Sequence, residues 1–574
     1  MRFKILVVCL AMFGAALAAS AQDWGQWGHD AQHTGRVPYL GQVAARILDE
    51  VVYDPHVDAE KAVSDGDLLV HYQVPLIDGT NVYMAFKSGT FTDVQHWESQ
   101  IWNEKRLRVQ GNHLVEQWNF QSDWKPVPFG TIKSGPFWEP VFHAALAGSF
   151  LYVPGAGGSI FKVNKTTGAL LTRINPFGPS IDPDIFVAGP PTVDGAGNVY
   201  YNAIELAHGN GWNSDAVSSW LVKIAPNNSF QTATFASLNP GAPAGNDKCV
   251  GVFNINQLPW PPTPDAVPPD ITCGSQRPGI NVAPAVAPDG TIYTVSVAQF
   301  STRTAFLLAV NPNLTPKWAA SLRDRFNDGC DDEIPPSGTP GGCRAGATPG
   351  VDPAQNRPGA GRVLDDGTSS PVVAPDGSII FGAYTRYNYA QGHTMHFSST
   401  GAYLNGYHFG WDITPGILPR SGTYSIITKD NHYGEDVGSY CNDPVICPGD
   451  RNANDPTYPE AYFITSLSPN LTPEWSWQNT NPLSCSRDAN GNVTCVSDHP
   501  HGFEWCVNAP AIDSGGNIYN NSEDGNIYVI RADGTLRETL FLDTALGAAY
   551  TPISILPDGK VLAQNNGLLF LVGQ

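Results

Sequence analysis

The side chains best suited to chemistry stand just before the apolar strands of a repeated pattern. His499, His501, Glu504 and Trp505 precede the strand that begins at Pro510. Imidazole and carboxylate groups bind polar ligands or move protons, and an indole ring offers a flat stacking surface. We therefore predict that this cluster forms part of a ligand site.

Other segments that lead into a first strand, and two loops that follow a second strand, carry similar side chains. The candidate ligand-binding residues among them are Trp138, Glu139, Arg277, Asn281, Arg386, Asp412 and His432. Variable loops on one face of a rigid scaffold are common binding surfaces. Sugars present hydroxyl edges and C–H faces, so this mixture of polar and aromatic groups indicates a glycan or protein ligand. General acid–base chemistry through His432 is the alternative.

A possible cation site stands apart from these loops. Asp450, Asn452 and Asn454 place oxygen-bearing side chains on alternate residues, as a calcium loop does. The segment lacks the glycine and the twelfth-position glutamate of the helix–loop–helix calcium site, so calcium is only one possible cofactor.

A repeated phrase shows which elements must position these groups. Residues 284–293 read PAVAPDGTIY, and related phrases occur at 371–380, 191–200 and 510–519. Weaker copies start at Pro75, Pro140, about Ser421 and Pro552. Each is an apolar strand, an Asp-Gly or Gly-Asn turn and a β-branched or aromatic strand, which is a hairpin signature.

The repeats predict an all-β propeller. A second strand–turn–strand unit follows each hairpin, as in residues 307–318 and 465–475, so a full unit is one four-stranded blade. Eight copies predict eight blades, with seven as the alternative. The last copy has room for about three strands, so we expect an N-terminal strand within Ala44 to Tyr53 to close the ring and cover its open edges.

The N-terminus and the charge indicate export. Residues 1–21 have the form of a signal peptide, which leaves 22–574 as one propeller domain in the periplasm or outside the cell. The net charge of -21 becomes about -23 without Arg2 and Lys4, which argues against nucleic acid as a partner. No apolar run is long enough for membrane insertion, and we expect a monomer.

The cysteines fit an oxidising compartment. Pairing each cysteine with the next one along the chain predicts the disulfides Cys249–Cys273, Cys330–Cys343, Cys441–Cys447 and Cys485–Cys495. Cys506 is then left as a buried thiol. Metal binding is the alternative, although no CxxC pair occurs.

Residues 24–35, WGQWGHDAQHTG, resemble the opening of secreted proteins with pyrroloquinoline-quinone-like propeller repeats. The resemblance implies the quinoprotein alcohol dehydrogenase fold. It also implies pyrroloquinoline quinone beside a ring of adjacent cysteines, with calcium held by Glu, Asn and Asp. This chain has no adjacent cysteines. We therefore predict a non-catalytic binding or scaffold propeller. The alternatives are a quinone- or metal-dependent oxidoreductase and a carbohydrate-active lyase at the channel mouth.

Overall fold

The computed structural model describes residues 23–63, 73–93, 98–127, 141–209, 211–339, 341–365, 367, 369–388, 392–432, 460–507, 509–547 and 551–574. Its earlier strands are β1 (Arg46–Val52), β2 (Leu76–Asp78), β3 (Asn81–Gly89), β4 (Gln100–Gln110), β5 (His113–Gln121), β6 (Ala145–Ala147), β7 (Phe150–Pro154), β8 (Ile160–Asn164), β9 (Leu170–Ile174), β10 (Ile185–Val187), β11 (Thr192–Val193), β12 (Val199–Glu205), β13 (Ser218–Ile224), β14 (Phe230–Thr234), β15 (Lys248–Val250), β16 (Asp270–Thr272), β17 (Gln276–Pro278), β18 (Ala285–Val286), β19 (Ile292–Ala298), β20 (Ser301–Val310) and β21 (Pro316–Ser321).

Its later strands are β22 (Val351–Asp352), β23 (Arg357–Pro358), β24 (Val372–Val373), β25 (Ile379–Ala383), β26 (His393–Phe397), β27 (Tyr403–Tyr407), β28 (Gly416–Arg420), β29 (Thr423–His432), β30 (Ala461–Leu467), β31 (Pro473–Asn479), β32 (Leu483–Arg487), β33 (Val493–Ser497), β34 (Ala511–Ile512), β35 (Ile518–Asn521), β36 (Asn526–Ile530), β37 (Leu536–Phe541), β38 (Ser554–Ile555), β39 (Val561–Asn565) and β40 (Leu568–Gly573). The helices are α1 (Val57–Val63), α2 (Phe235–Leu238) and a 3-10 turn at Ile255–Gln257.

The strands form an eight-bladed propeller, which confirms the predicted fold and blade number. Blades 1 to 7 are β2–β5, β6–β9, β11–β14, β18–β21, β24–β27, β28–β31 and β34–β37, and blade 8 is β38–β40 with β1. We call the four strands of a blade A to D. Strand A is innermost, since β6 lies against β11, β11 against β18, and β38 against β2.

The repeated phrase is the A–B hairpin. In blade 4 the Thr291 amide donates to the Asp289 side chain at 2.9 Å, and Gly290 has a φ of 81°. Glycine tolerates this left-handed conformation, which explains the Asp-Gly pair. The expected copy at Ser421 is misplaced: strand A of blade 6 is Gly416–Arg420, and Ser421 lies in the turn after it.

The N-terminal strand closes the ring as predicted. β1 pairs antiparallel with β40, from Arg46 opposite Gly573 to Val52 opposite Leu568. β1 is therefore strand D of blade 8, and the two ends of the chain share one sheet. Without β1, the edge of β40 would expose unpaired backbone groups.

A segment before β1, residues 24–39, runs around the inner strands beside the A–B turns; we call it the channel segment. It forms one or two hydrogen bonds with strand A of each blade in order. The strand-A residues that it meets are Ile77, Leu146, Val193, Val286, Val373, Ile417, Ile512 and Ile555. The motif at residues 24–35 thus links blades 1 to 7 on this side, and Tyr39 adds blade 8.

Two side chains of the channel segment fill the ring centre. Trp27 donates from Nε1 to Thr414 Oγ1 of blade 6 at 3.1 Å, and its ring meets His143 of blade 2 edge-on at 5.8 Å. Blades 2 and 6 are opposite each other in a ring of eight, so the buried indole crosses the axis. His33 bridges blades 5 and 3 through Pro371 O at 2.8 Å and Thr192 Oγ1 at 3.3 Å.

The cysteines of the described ranges follow the prediction. Cys249–Cys273, Cys330–Cys343 and Cys485–Cys495 are disulfides, and Cys506 is a buried free thiol. The predicted signal peptide and the Cys441–Cys447 pair lie outside the described residues. No helix in the described part of the chain has the length and apolar character needed to cross a membrane.

Candidate functional site

The segments before strand A and the loops after strand B share one face of the propeller, which we call the loop face. Short extra pairings hold them in place. β17 continues the sheet of blade 4 against the end of β19, and β10 does the same beside β12. Arg362 and Tyr384 form an equivalent bridge in blade 5. Because backbone hydrogen bonds fix these segments, their side chains have defined positions.

Arg277, a predicted ligand-binding residue, is committed to the protein. Its Nη1 and Nη2 atoms donate to Asp365 at 2.8 and 2.7 Å, and Nε donates to Gln299 Oε1 at 2.6 Å. The guanidinium lies 4.9 Å from the centre of the Trp212 ring. This buried, bidentate pair joins the loop-face segments of blades 4 and 5 and leaves little of Arg277 for a ligand.

Asn281 and Asp412 also lie at loop-face junctions. Both have positive φ, 67° and 62°, which asparagine and aspartate accept better than most residues. Asn281 accepts from the Val141 amide with its side chain, at 3.2 Å, and donates its own amide to Ala188 O at 2.7 Å. It therefore joins blade 4 to blades 2 and 3.

The cluster before blade 7 divides into buried and exposed parts. Trp505 is 0% exposed and packs edge-on against Trp477 and Tyr528 at 5.9 and 5.3 Å. Its ring thus belongs to the core between blades 6 and 7 and offers no stacking face in this structure. His499 stacks on Phe503 at 3.8 Å, and His501 is exposed.

Glu504 forms a group that the sequence did not reveal. Its carboxylate, Cys506 Sγ and a Glu523 carboxylate oxygen lie within 4.8 Å of one another, and the thiol donates to Glu523 Oε1 at 2.9 Å. Burial, followed by the two carboxylates, raises the pKa of the Cys506 thiol well above its usual value. The thiol therefore stays protonated at neutral pH and donates its hydrogen bond to Glu523.

His432 joins a chain of aromatic and imidazole rings between blades 5 and 6. Its Nε2 lies 2.7 Å from Asp430 Oδ1, and Phe409 stacks on it at 4.5 Å. His408 lies beside Phe409 and contacts Glu333 at 2.7 Å. This pairing raises the pKa of His408 above its usual value in spite of burial. Each imidazole here already has a carboxylate partner.

Most of the remaining predicted residues lie in parts of the chain that the structure does not describe. Trp138, Glu139, Asp450, Asn452 and Asn454 lie outside the described residues. Arg386 is partly exposed beside Tyr387. The part of all these residues in ligand binding stays a prediction.

Three side chains that were not among the predicted ligand-binding residues form a patch between blades 4, 5 and 6 on the loop face. We call it the Arg362 patch, and it consists of Arg362, Tyr384 and Trp411. The Arg362 guanidinium lies 5.0 Å from the centre of the Tyr384 ring, which meets the Trp411 ring at 4.7 Å and 68°. All three are partly exposed. Arg362 and Trp411 both stand in segments that lead into strand A, but the sequence does not show that their side chains meet the Tyr384 ring.

A cavity of about 700 Å³ lies on the opposite side, between the channel segment and the A–B turns of blades 2 to 4. Its carboxylates serve local turns. Asp30 accepts from the Gln32 and Thr34 amides, and Asp289 accepts from the Thr291 amide. His29 and then Thr34 lower the pKa of Asp30 in spite of burial, and the Thr291 amide lowers the pKa of Asp289. The cavity is thus lined by structural turns.

Two solved dehydrogenase structures share the fold of this chain. No protein-family model matches the chain, and no curated protein matches it in sequence. A europium-containing methanol dehydrogenase has a TM-score of 0.51 at 10% identity, over 94% of this chain and 89% of that chain. Quinohemoprotein alcohol dehydrogenase from Comamonas testosteroni has a TM-score of 0.51 at 11% identity, over 97% of this chain and 82% of that chain. BamB from Moraxella catarrhalis has a TM-score of 0.37 at 10% identity, over 92% and 99%.

Identities this low establish the fold alone. The eight blades, the closing N-terminal strand and the coverage of both dehydrogenases lead to one conclusion: the chain has the eight-bladed β-propeller fold of the quinoprotein alcohol dehydrogenases.

Proposed function

We propose that this chain is a non-catalytic glycan-binding propeller that holds its ligand on the loop face. The Arg362 patch is the observation that carries the proposal. Two partly exposed aromatic rings lie side by side there, next to a guanidinium. Aromatic faces pack against the C–H faces of sugars, while guanidinium, phenol and indole groups donate hydrogen bonds to their oxygens.

Several loop-face groups make their contacts within the protein, which favours binding over catalysis. Arg277 is paired with Asp365, and Trp505 is in the core. The buried Trp27 ring of the channel segment also crosses the channel axis. A general acid or base needs an ionisable group in reach of a substrate atom. On the loop face, His408 pairs with Glu333 and His432 pairs with Asp430.

The second candidate, a quinone-dependent oxidoreductase, is disfavoured by the donor set. The resemblance calls for adjacent cysteines beside the quinone, whereas the three described disulfides join residues 24, 13 and 10 positions apart. The described disulfides therefore do not supply the ring of adjacent cysteines that the quinone would need.

We also infer export to the periplasm or the cell exterior. The signal-peptide pattern of residues 1–21 and three disulfides among the described residues support it, because disulfides persist in oxidising compartments.

Calorimetric titration of the mature chain with a panel of neutral and acidic oligosaccharides tests the proposed function. Trp411→Ala should weaken binding about fivefold or more, because an aromatic contact contributes roughly 1 kcal/mol beyond its buried area. Phe230→Ala is the matched control, since that ring is 46% exposed on the outer strand of blade 3. Absence of binding to every glycan would contradict the proposal, as would alcohol oxidation after loading with quinone and calcium.

A further inference from the structure

Arg362 differs from its neighbours Arg277 and Arg303 because it has no acidic partner among the described residues. Its Nε donates to Thr302 Oγ1 at 3.1 Å. Among the residues that the structure describes, no carboxylate oxygen lies within 4.0 Å of its guanidinium, and neither Nη atom has a hydrogen-bond partner. Nearby, Arg277 has Asp365, and Arg303 has Asp352 at 3.2 Å.

The surroundings make this isolation costly. Arg362 lies between strands of two blades, with its backbone bridged to Tyr384 at 2.9 and 3.0 Å. Burial first, and then the positive charge of Arg303, lower the pKa of Arg362 to about 10. Arg362 is partly exposed, but a cation that is largely removed from water is ordinarily paired with an anion. A second charge of the same sign increases that cost.

Two hydrogen-bond donors next to Arg362 also have no acceptor within the described ranges. They are the Tyr384 hydroxyl and the Trp411 Nε1–H. Both rings are partly exposed and in edge-on contact at 4.7 Å. Guanidinium, hydroxyl and indole N–H groups all donate hydrogen bonds, so the patch suits a ligand rich in oxygen acceptors.

We propose that the Arg362 guanidinium binds an oxyanion of the ligand, namely the carboxylate of an acidic sugar whose ring packs beside Tyr384 and Trp411. This rests on the proposed glycan-binding function and names its ligand class. A carboxylate matches the two free Nη donors of a guanidinium in a bidentate pair. It would supply the negative charge that Asp365 and Asp352 supply to Arg277 and Arg303.

The negative charge of the whole chain makes Arg362 decisive for the affinity of an anionic ligand. The net charge is -21, so an anionic ligand is repelled by most of the surface. Local pairing at Arg362 has to overcome that repulsion. We therefore expect affinity to depend strongly on Arg362 itself and to respond little to a distant arginine.

Calorimetric titration with galacturonic acid, galactose, inorganic sulfate and inorganic phosphate tests this. The parent should bind galacturonic acid about tenfold or more tightly than galactose, because hydrogen bonds to charged groups contribute about 1.5–3 kcal/mol. Arg362→Gln should remove that preference. Arg362→Lys is the second variant. It keeps the positive charge but lacks the two parallel N–H donors of the guanidinium, so it should retain only part of the preference. Arg108→Gln, an equal charge change on the exposed face of β4, is the control.

The outcomes separate the site from the function. Equal affinities for galacturonic acid and galactose, or an unchanged preference in folded Arg362→Gln, would overturn the oxyanion site and leave glycan binding intact. Binding of galacturonic acid, sulfate and phosphate without any oligosaccharide binding, lost in Arg362→Gln, would support the oxyanion site and overturn the glycan function. Tighter binding of sulfate or phosphate than of galacturonic acid would overturn the assignment to a carboxylate.

Discussion

At the residue scale, His33 shows how the channel segment makes the fold sensitive to pH. The imidazole is 1% exposed and lies between the Pro371 carbonyl and the Thr192 hydroxyl. Burial lowers its pKa to about 4, against a contribution from the Pro371 carbonyl that raises it. The ring is therefore neutral in the folded protein at neutral pH, and Nδ1–H donates to the carbonyl.

Because the pKa of His33 is lower in the folded protein than in the unfolded chain, the protein loses stability as the pH falls. Between about pH 6.5 and 4 the unfolded chain protonates His33 while the folded chain does not. Stability is thus complete above about pH 6.5 and falls as the pH drops toward 4, by roughly 3 kcal/mol for this group.

We expect the denaturant midpoint of the parent to fall between pH 7 and pH 4.5. His33→Gln should show a shallower fall over the same range, because it lacks this titration. Denaturant unfolding followed by circular dichroism at several pH values measures both slopes. Identical slopes in the two proteins would show that His33 does not carry the effect.

At the element scale, adjacent blades are joined by a repeated tryptophan contact. Trp318 on strand D of blade 4 donates from Nε1 to Ser399 O in the C–D turn of blade 5, at 3.0 Å. Trp118 and Trp475 make the same contact with the turns of blades 2 and 7, at 3.1 and 3.0 Å. Each ring covers a turn glycine, and for blade 5 this is Gly401.

Gly401→Ala should loosen this junction. Gly401 has a φ of 87°, and an added Cβ would lie 2.7 Å from the Trp318 ring. The left-handed conformation costs about 1 kcal/mol for alanine, and displacement of the ring adds to it, so we expect a loss of about 2 kcal/mol or more.

Gly422→Ala is the matched control for this change. Gly422 has a φ of 72° with nothing within 4 Å of an added Cβ, so it should lose only the conformational part. The free energies of unfolding of both variants measure the difference. Equal losses would mean that the tryptophan contact adds nothing.

At the scale of the whole molecule, the two ends of the chain hold the ring closed. β1 completes blade 8, and the channel segment bonds to strand A of every blade. Removal of β1 would uncover β40, in which Leu569 to Val572 are 0% exposed. Unpaired edges and uncovered apolar side chains destabilise a sheet and promote association.

Two truncations of the mature chain separate these contributions. A variant without residues 22–39 loses the channel segment and keeps β1, while a variant that begins at Pro55 loses both. We expect the melting temperature to fall in that order, with a cooperative loss in the second variant. A Pro55 variant that melts like the parent would show that the ring is closed in another way.

Local chemistry explains why so much of the fold is predictable from the sequence. Asp289 and Gly290 stabilise their turn through their own backbone and side chains, so the pair marks a hairpin wherever it occurs. Counting such hairpins predicts eight blades, and the short final repeat predicts a strand from the N-terminus. Cys485 and Cys495 are likewise brought together by the hairpin between them.

The amino-acid sequence therefore determined the hairpins, the number of blades, the closing strand and the disulfides of its own hairpin loops. The tertiary structure decided which side chains remain free, since partners come from other blades. Arg277 is neutralised by Asp365, 88 residues away, and Trp505 is covered by Trp477 and Tyr528. Arg362 has no such acidic neighbour among the described residues, and only the arrangement of the blades could show it.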